Sequence, residues 1–137
     1  MADAAPPLQP QEHLNDASHE AGLHRYIEMW NTGYISVLEG LVAPTYVGYF
    51  AAGRRNRDEL SSLIVARGLD PPGVVFTIED CVAVGDRTAA RLSATRADAT
   101  PAGDFGLHLA RWTGGRIVEE WWSWSDGSSG ELGGNTD

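Results

Sequence analysis

The chain has 137 residues, 42% hydrophobic and 21% charged, which is enough for one globular domain with a core and one internal pocket and too short for a second. A formal net charge of −9 repels a phosphate backbone and argues against nucleic acid as a partner. The single cysteine, Cys81, excludes an internal disulfide framework and a thiolate zinc site, and points to a reducing compartment.

Residues 1–12 carry three prolines and read as a flexible arm; residues 127–137, rich in Gly and Ser, read as a flexible tail. A single domain over 13–126 remains. The N-terminus has neither the basic start nor the apolar run of a signal peptide, and no apolar stretch could span a bilayer, so the expectation is a soluble, cytoplasmic protein without a membrane partner. Leu23, Ile27 and Trp30 fall at i, i+4 and i+7, which predicts a first helix capped by Asn15 or Asp16 and stopped by Gly33. A short second helix over 34–41 ends before Pro44, and Tyr46–Phe50 has the β-branched and aromatic character of a strand. Asn56 and Glu59 have capping-box spacing ahead of a third helix, with Leu60, Leu63 and Ile64 on one face and Gly68 at its end.

From Gly73 the period is that of strands: 74–83, a turn at 84–87, 88–96, and a final hairpin over 106–126. Helices followed by a four-stranded antiparallel meander give an α+β fold, with the N-terminal helices packed on one face of a curved sheet. The last hairpin is the most informative segment. A three-residue loop at Thr113-Gly114-Gly115 would pair Trp112 with Arg116 and His108 with Glu120 on one face. A two-residue loop would set His108 opposite Trp121 and Leu109 opposite Glu120, since a slip of one residue exchanges the faces.

His108 lies between two leucines, so its ring points away from the face they cover; an imidazole can protonate or deprotonate a substrate oxygen near neutral pH. Glu120 could orient that imidazole or act as the acid itself. Trp122 and Trp124 share a face with Glu120 and would wall a hydrophobic substrate, whereas Trp121 takes the other face as core or interface. Tyr46 and Tyr49 are candidate phenolic donors. Asp80 and Arg91 face one another if the turn at Gly85-Asp86 has a two-residue loop, as an ion pair at a pocket floor. Tyr26 and Trp30, one turn apart, could close the pocket. His13, His19 and His24 lack metal-ligand spacing, and no metal or other cofactor is expected. Leu107, Leu109, Ile117 and Trp121 on the face opposite the pocket predict a homodimer.

Four separated pieces, Trp30-Asn31-Thr32-Gly33, Leu41 to Val47, Glu79 to Arg87 and Gly114 to Trp121, resemble in order and spacing the SnoaL-like polyketide cyclases of the nuclear-transport-factor-like superfamily. The resemblance covers residues 20–126 and implies a cone-shaped α+β barrel enclosing one pocket. In those cyclases an aspartate just after the Glu-Glu-Trp-like run, assisted by a histidine on the preceding strand, does the acid/base work. The histidine maps onto His108 and the aspartate onto Trp122. The Arg–Asp pair of limonene epoxide hydrolase, a cousin, retains only its arginine here, in Arg91-Leu92-Ser93. The resulting expectation is a cofactor-independent cyclase of natural-product biosynthesis that closes a ring within a hydrophobic substrate, with His108, Glu120 and a tyrosine moving the protons; opening of an epoxide by an internal hydroxyl, giving a cyclic ether, fits this altered site best. A ketosteroid-isomerase-like proton shuttle built on Glu120, an epoxide hydrolase and a non-catalytic dimerising module are the alternatives.

Overall fold

A computed structural model describes residues 10–68, 74–96 and 101–125, with side chains over 17–67, 74–96 and 105–125. Most of the expected N-terminal arm and the whole expected tail lie outside them. Helix α1 spans Pro10–Thr32; it starts earlier than expected, so Asn15 and Asp16 sit inside it rather than at its cap, and proline suits a first turn because its fixed φ is helical and its missing N–H is not needed there. The helix stops before Gly33, whose N–H donates to the Met29 carbonyl at 2.8 Å. Leu23, Tyr26, Ile27 and Trp30 form its buried stripe.

The expected second helix is divided into a 3₁₀ turn, Ile35–Val37, and a single turn α2, Leu38–Leu41. Strand β1 begins directly after it and runs Val42–Phe50, past Pro44. The ladder is irregular between Val42 and Val47, which is where a residue without an N–H can be accommodated in a strand. Three-residue β2, Gly53–Arg55, is too short to show alternation in the sequence. The capping box of α3, Arg57–Gly68, forms as expected: the Glu59 N–H donates to Asn56 Oδ1 at 2.9 Å and the Asn56 N–H to Glu59 Oε1 at 2.8 Å. Its Leu60 and Ile64 are fully buried.

Strands β3 (Val74–Val84), β4 (Arg87–Arg96), β5 (Pro101–Thr113) and β6 (Arg116–Trp124) make the expected meander. The sheet, however, has six strands in the order β2-β1-β6-β5-β4-β3, with β1 parallel to β6. That pairing joins segments about half the chain apart, which no local period reveals.

The β5–β6 hairpin follows neither expected register along its whole length. Gly114 and Gly115, at φ 59° and 79°, form a two-residue loop closed by Thr113 and Arg116, a turn that demands two left-handed residues. Trp112 then faces Ile117 but Arg111 faces Glu119, so β6 bulges by one residue. Beyond the bulge Ala110 lies opposite Glu120 and His108 opposite Trp122. His108 and Glu120 therefore share the inner face, as diagonal rather than direct neighbours. The same bulge moves Ile117 inward, where it is fully buried, and removes it from the expected outer apolar face. That face instead presents Leu107, Leu109, Phe105, Val82 and Val84, with Leu107 60% exposed.

Two side chains of α1 fasten it to the sheet edge. His19 stacks on Trp112 at 5.1 Å, and its Nδ1–H donates to the Gly85 carbonyl at 2.9 Å, fixing α1 to the β3–β4 turn. Asn31 acts as a substitute neighbouring strand for the edge strand β3, since its Nδ2 donates to the Phe76 carbonyl and its Oδ1 accepts from the Phe76 N–H, each at 2.8 Å. Asn31→Ala should lower stability by about 1–3 kcal/mol, the cost of leaving two partly buried backbone groups without partners. Urea unfolding checks the magnitude, and faster amide exchange at Phe76 checks the place.

Candidate active site

Glu120 lies in the middle of β6, paired on both sides, so its side chain on the inner face is roofed by α1 and has no route to water. It is 0% exposed, as is His108. A carboxylate in such a place must be satisfied by donors, and four elements supply them. His108 of β5 donates through Nε2–H to Oε1 at 2.6 Å, and Trp122 of β6 donates through Nε1–H to the same oxygen at 3.0 Å. Oε2 accepts short hydrogen bonds from the hydroxyls of Tyr26, on α1, and Tyr46, on β1.

Burial first, and then the charge of Glu120, push the ionisation of both phenols well above the ordinary tyrosine range, so they remain donors. Gly48 makes the Tyr46 contact possible. It is the β1 partner of Glu120, and a Cβ there would lie 2.0 Å from the Tyr46 hydroxyl and 2.8 Å from the Phe50 ring; without a side chain at Gly48 the phenol can fold back across its own strand.

Nε2–H is committed to Glu120, which leaves the other imidazole nitrogen unengaged. Nδ1 of His108 is buried and makes no hydrogen bond among the described residues. Trp122 stands edge-on to the imidazole at 4.6 Å, and around it gather Trp30 at 5.6 Å, Phe76 at 5.6 Å, Trp124 at 6.1 Å and Phe50 at 6.3 Å. Arg67 of α3 lies over Phe76 at 4.3 Å and donates to the Val74 carbonyl at 2.7 Å; burial pushes its pKa down to about 10. This aromatic layer occupies the inner face above His108. The described surface carries grooves along the outer face, one at Val82, Ala89 and Trp121 and one at Asp80, Arg91, Leu107 and His108, and another between α1 and β3 that Phe76 helps to line.

Of the residues expected at the site, His108, Glu120, Tyr46, Tyr26, Trp122, Trp30 and Trp124 come together. Tyr49 does not. Strand alternation turns it to the outer face, where it stacks on Trp121 at 5.4 Å with its hydroxyl 3.5 Å from Glu119. Asp80 and Arg91 are register partners as expected, but both are exposed on the outer face: Ala90 and Leu92 take the inner positions of β4, and a bulge in β3 between Ile78 and Asp80 carries Asp80 outward with its partner. Asp80 accepts the Cys81 N–H at 3.0 Å. The pair lines a groove of the outer face together with Cys81, Leu107 and His108 rather than the aromatic layer of the inner face. Gly48, Phe50, Phe76 and Arg67 were not anticipated; Phe76 and Phe50 had a signal in their strand alternation, whereas the position of Arg67 over two rings had none.

A family profile described as a SnoaL-like domain matches residues 23–120. Among solved structures, a proposed polyketide cyclase from Bacillus cereus ATCC 10987 is 20% identical with a TM-score of 0.73, over 97% of this chain and 89% of its own. IdmH from Streptomyces antibioticus, also a proposed polyketide cyclase, is 24% identical with a TM-score of 0.66, over 78% and 91%. A proposed ketosteroid isomerase from Kribbella flavida is 14% identical with a TM-score of 0.67, over 82% of each chain. These likenesses show the fold. A search of curated proteins finds no match.

The raised phenols give the site a signature in alkali. Tyr26 and Tyr46 stay protonated in the folded chain while the unfolded chain ionises them above pH ~10, so the stability tied to them is complete below that pH and is lost as pH rises beyond it. Chemical unfolding at stepped pH should show stability falling above pH ~10, with a shallower slope in the Tyr26→Phe/Tyr46→Phe double variant.

Proposed function

The chain belongs to the SnoaL-like family, and on that premise we propose that it is a cofactor-independent cyclase of natural-product, polyketide-type biosynthesis in which His108 is the single general acid–base. The observation that carries this reading is the division of labour in the buried dyad: both oxygens of Glu120 are engaged by donors, whereas Nδ1 of His108 has no partner among the described residues.

Neutral His108, holding its Nε2–H on Glu120, removes a proton from a carbon next to a substrate carbonyl through the Nδ1 lone pair. The C–H bond breaks, and the imidazolium that forms lies against the Glu120 carboxylate, which stabilises it. The resulting carbon nucleophile attacks a second carbonyl of the same molecule, forming the ring bond and an alkoxide, which takes the proton back from Nδ1. One group serves twice, and the balance requires no oxidant or reductant. The aromatic layer keeps water from quenching the carbanion and holds the chain folded for attack.

Epoxide opening by an internal hydroxyl asks for an acid and a base at once, and the nearby phenols already donate to Glu120, so the single free nitrogen favours the shuttle. An isomerase with Glu120 as base would need a carboxylate oxygen free of donors. Where SnoaL-like cyclases carry their aspartate this chain has Trp122, and the carboxylate comes instead from Glu120, two residues earlier on the same face.

The test is deuterium exchange of the acidic C1 protons of 2-tetralone in D2O, followed by NMR with and without protein. His108→Gln, which keeps a donor for Glu120, should lose acceleration by about 10²- to 10⁴-fold in a folded protein, and Glu120→Gln should lose less. A larger loss in Glu120→Gln would make Glu120 the base and the isomerase reading correct; full acceleration in both variants would reduce the dyad to a structural pair.

For assembly, we propose a homodimer through the outer face, because exposed Leu107, Leu109, Phe105, Val82 and Val84 form a wider apolar surface than a small monomer normally leaves wet. Sedimentation should give twice the chain mass, and Leu107→Lys/Leu109→Glu should give single chains. A wild-type chain that sediments as a monomer at all concentrations overturns this.

A further inference from the structure

We propose that Trp124 is a substrate-positioning residue that recognises, through its indole N–H, a hydrogen-bond-acceptor oxygen lying about one ring away from the carbon that gives its proton to His108. The inference rests on the proton-transfer reading of the dyad and adds to it the shape and polarity of the substrate.

The indoles of the inner face provide the starting point. Trp122 Nε1–H donates to Glu120, and Trp112 Nε1–H donates to Thr88 Oγ1 at 3.0 Å. Trp124 Nε1 is buried as they are, yet no acceptor among the described residues receives it; Trp30 Nε1 on α1 is in the same state, but Trp124 is the one that stands on the strand of Glu120 and Trp122. A buried donor without a partner is costly and rare, and in a binding site it is what a ligand oxygen would satisfy. The ring itself is held firmly: it stacks on Phe76 at 5.3 Å, and Gly106, its partner on β5, leaves no side chain beneath it. A Cβ at Gly106 would lie 2.7 Å from the indole. Such a fixed ring presents its N–H in one direction.

Position along the strands supplies the spacing. Trp124 faces Gly106 and Trp122 faces His108, so the unmatched N–H and the unmatched Nδ1 belong to rungs two residues apart on one face, ~7 Å along the sheet. Trp122 and Phe76 bridge the interval with apolar ring surface. The pair of orphaned atoms thus matches a ring-bearing molecule with an acidic C–H at one end and an acceptor oxygen across the ring. A purely hydrocarbon substrate would leave Trp124 unsatisfied, and recognition by a hydrogen-bond donor discriminates far more strongly than apolar contact does.

The experiment compares 6-methoxy-2-tetralone, which carries an acceptor oxygen across the ring from its acidic C1, with 2-tetralone, which lacks it. Titrations are followed in the indole N–H region of 1H–15N spectra, with the Trp124 resonance identified by its absence in Trp124→Phe. The methoxy compound should move the Trp124 N–H downfield and bind about five- to tenfold more tightly than 2-tetralone, the usual worth of one hydrogen bond; in Trp124→Phe that preference should vanish, the methoxy compound losing more affinity than 2-tetralone. Equal weakening of both probes in Trp124→Phe, or binding that leaves the Trp124 N–H unmoved in the wild type, overturns the inference, and so does the failure of both probes to bind. The wild-type shift needs no variant, so a misfolded Trp124→Phe does not remove the test. Failure of the dyad reading is separate: it shows as C1 exchange that His108→Gln does not slow.

Discussion

One buried carboxylate, that of Glu120, organises the described fold. Stripping water from an unpaired carboxylate costs several kcal/mol even after the surroundings relax, and a hydrogen bond to a charged group contributes about 1.5–3 kcal/mol, so one donor would leave Glu120 barely tolerable. Four donors make it stable, and they come from α1, β1, β5 and β6. Each donor fixes the element that bears it. The first helix lies over the sheet at the height that brings Tyr26 to Oε2, and β1 must run beside β6 with glycine at position 48 for Tyr46 to reach the same atom. The site is in this sense the clasp of the fold.

That arrangement also separates holding from reacting. The carboxylate is saturated, the phenols are locked as donors, and Trp122 N–H is used. What remains is one imidazole nitrogen in a dry aromatic setting, already oriented through its opposite nitrogen. For the proton transfer proposed for His108, a group with its partner already in place has little reorganisation left, and the surrounding rings contribute apolar contact that is tolerant of shape. Arg67 over Phe76 and Arg55 over Phe50, at 4.3 Å and 5.7 Å, add positive charge to the edges of the same layer.

Two bulges decide which chemistry faces inward. The one in β6 turns Ile117 into the core and still delivers Glu120 to the face of His108; the one in β3 carries Asp80 to the outer surface with Arg91. Because side chains alternate with a period of two, one inserted residue reassigns everything beyond it. No helix among the described residues is long and apolar enough to cross a membrane.

Sequence alone determined the three helical segments, the capping box at Asn56 and Glu59 and the meander of β3 to β6, since each rests on local propensity or on alternation within a few residues; it left the facing of His108 and Glu120 open between two registers, and the bulge in β6 decided it. The resemblance of four short pieces to SnoaL-like cyclases was legible for the same reason. Tertiary structure decided the parallel pairing of β1 with β6, the outward turn of Tyr49, Asp80 and Arg91, the fold of Tyr46 over Gly48, and the saturation of Glu120. Those features depend on strand partners distant in the chain and on single-residue bulges, and neither leaves a period in the sequence; they are set by how a buried charge and a layer of rings can be satisfied at once.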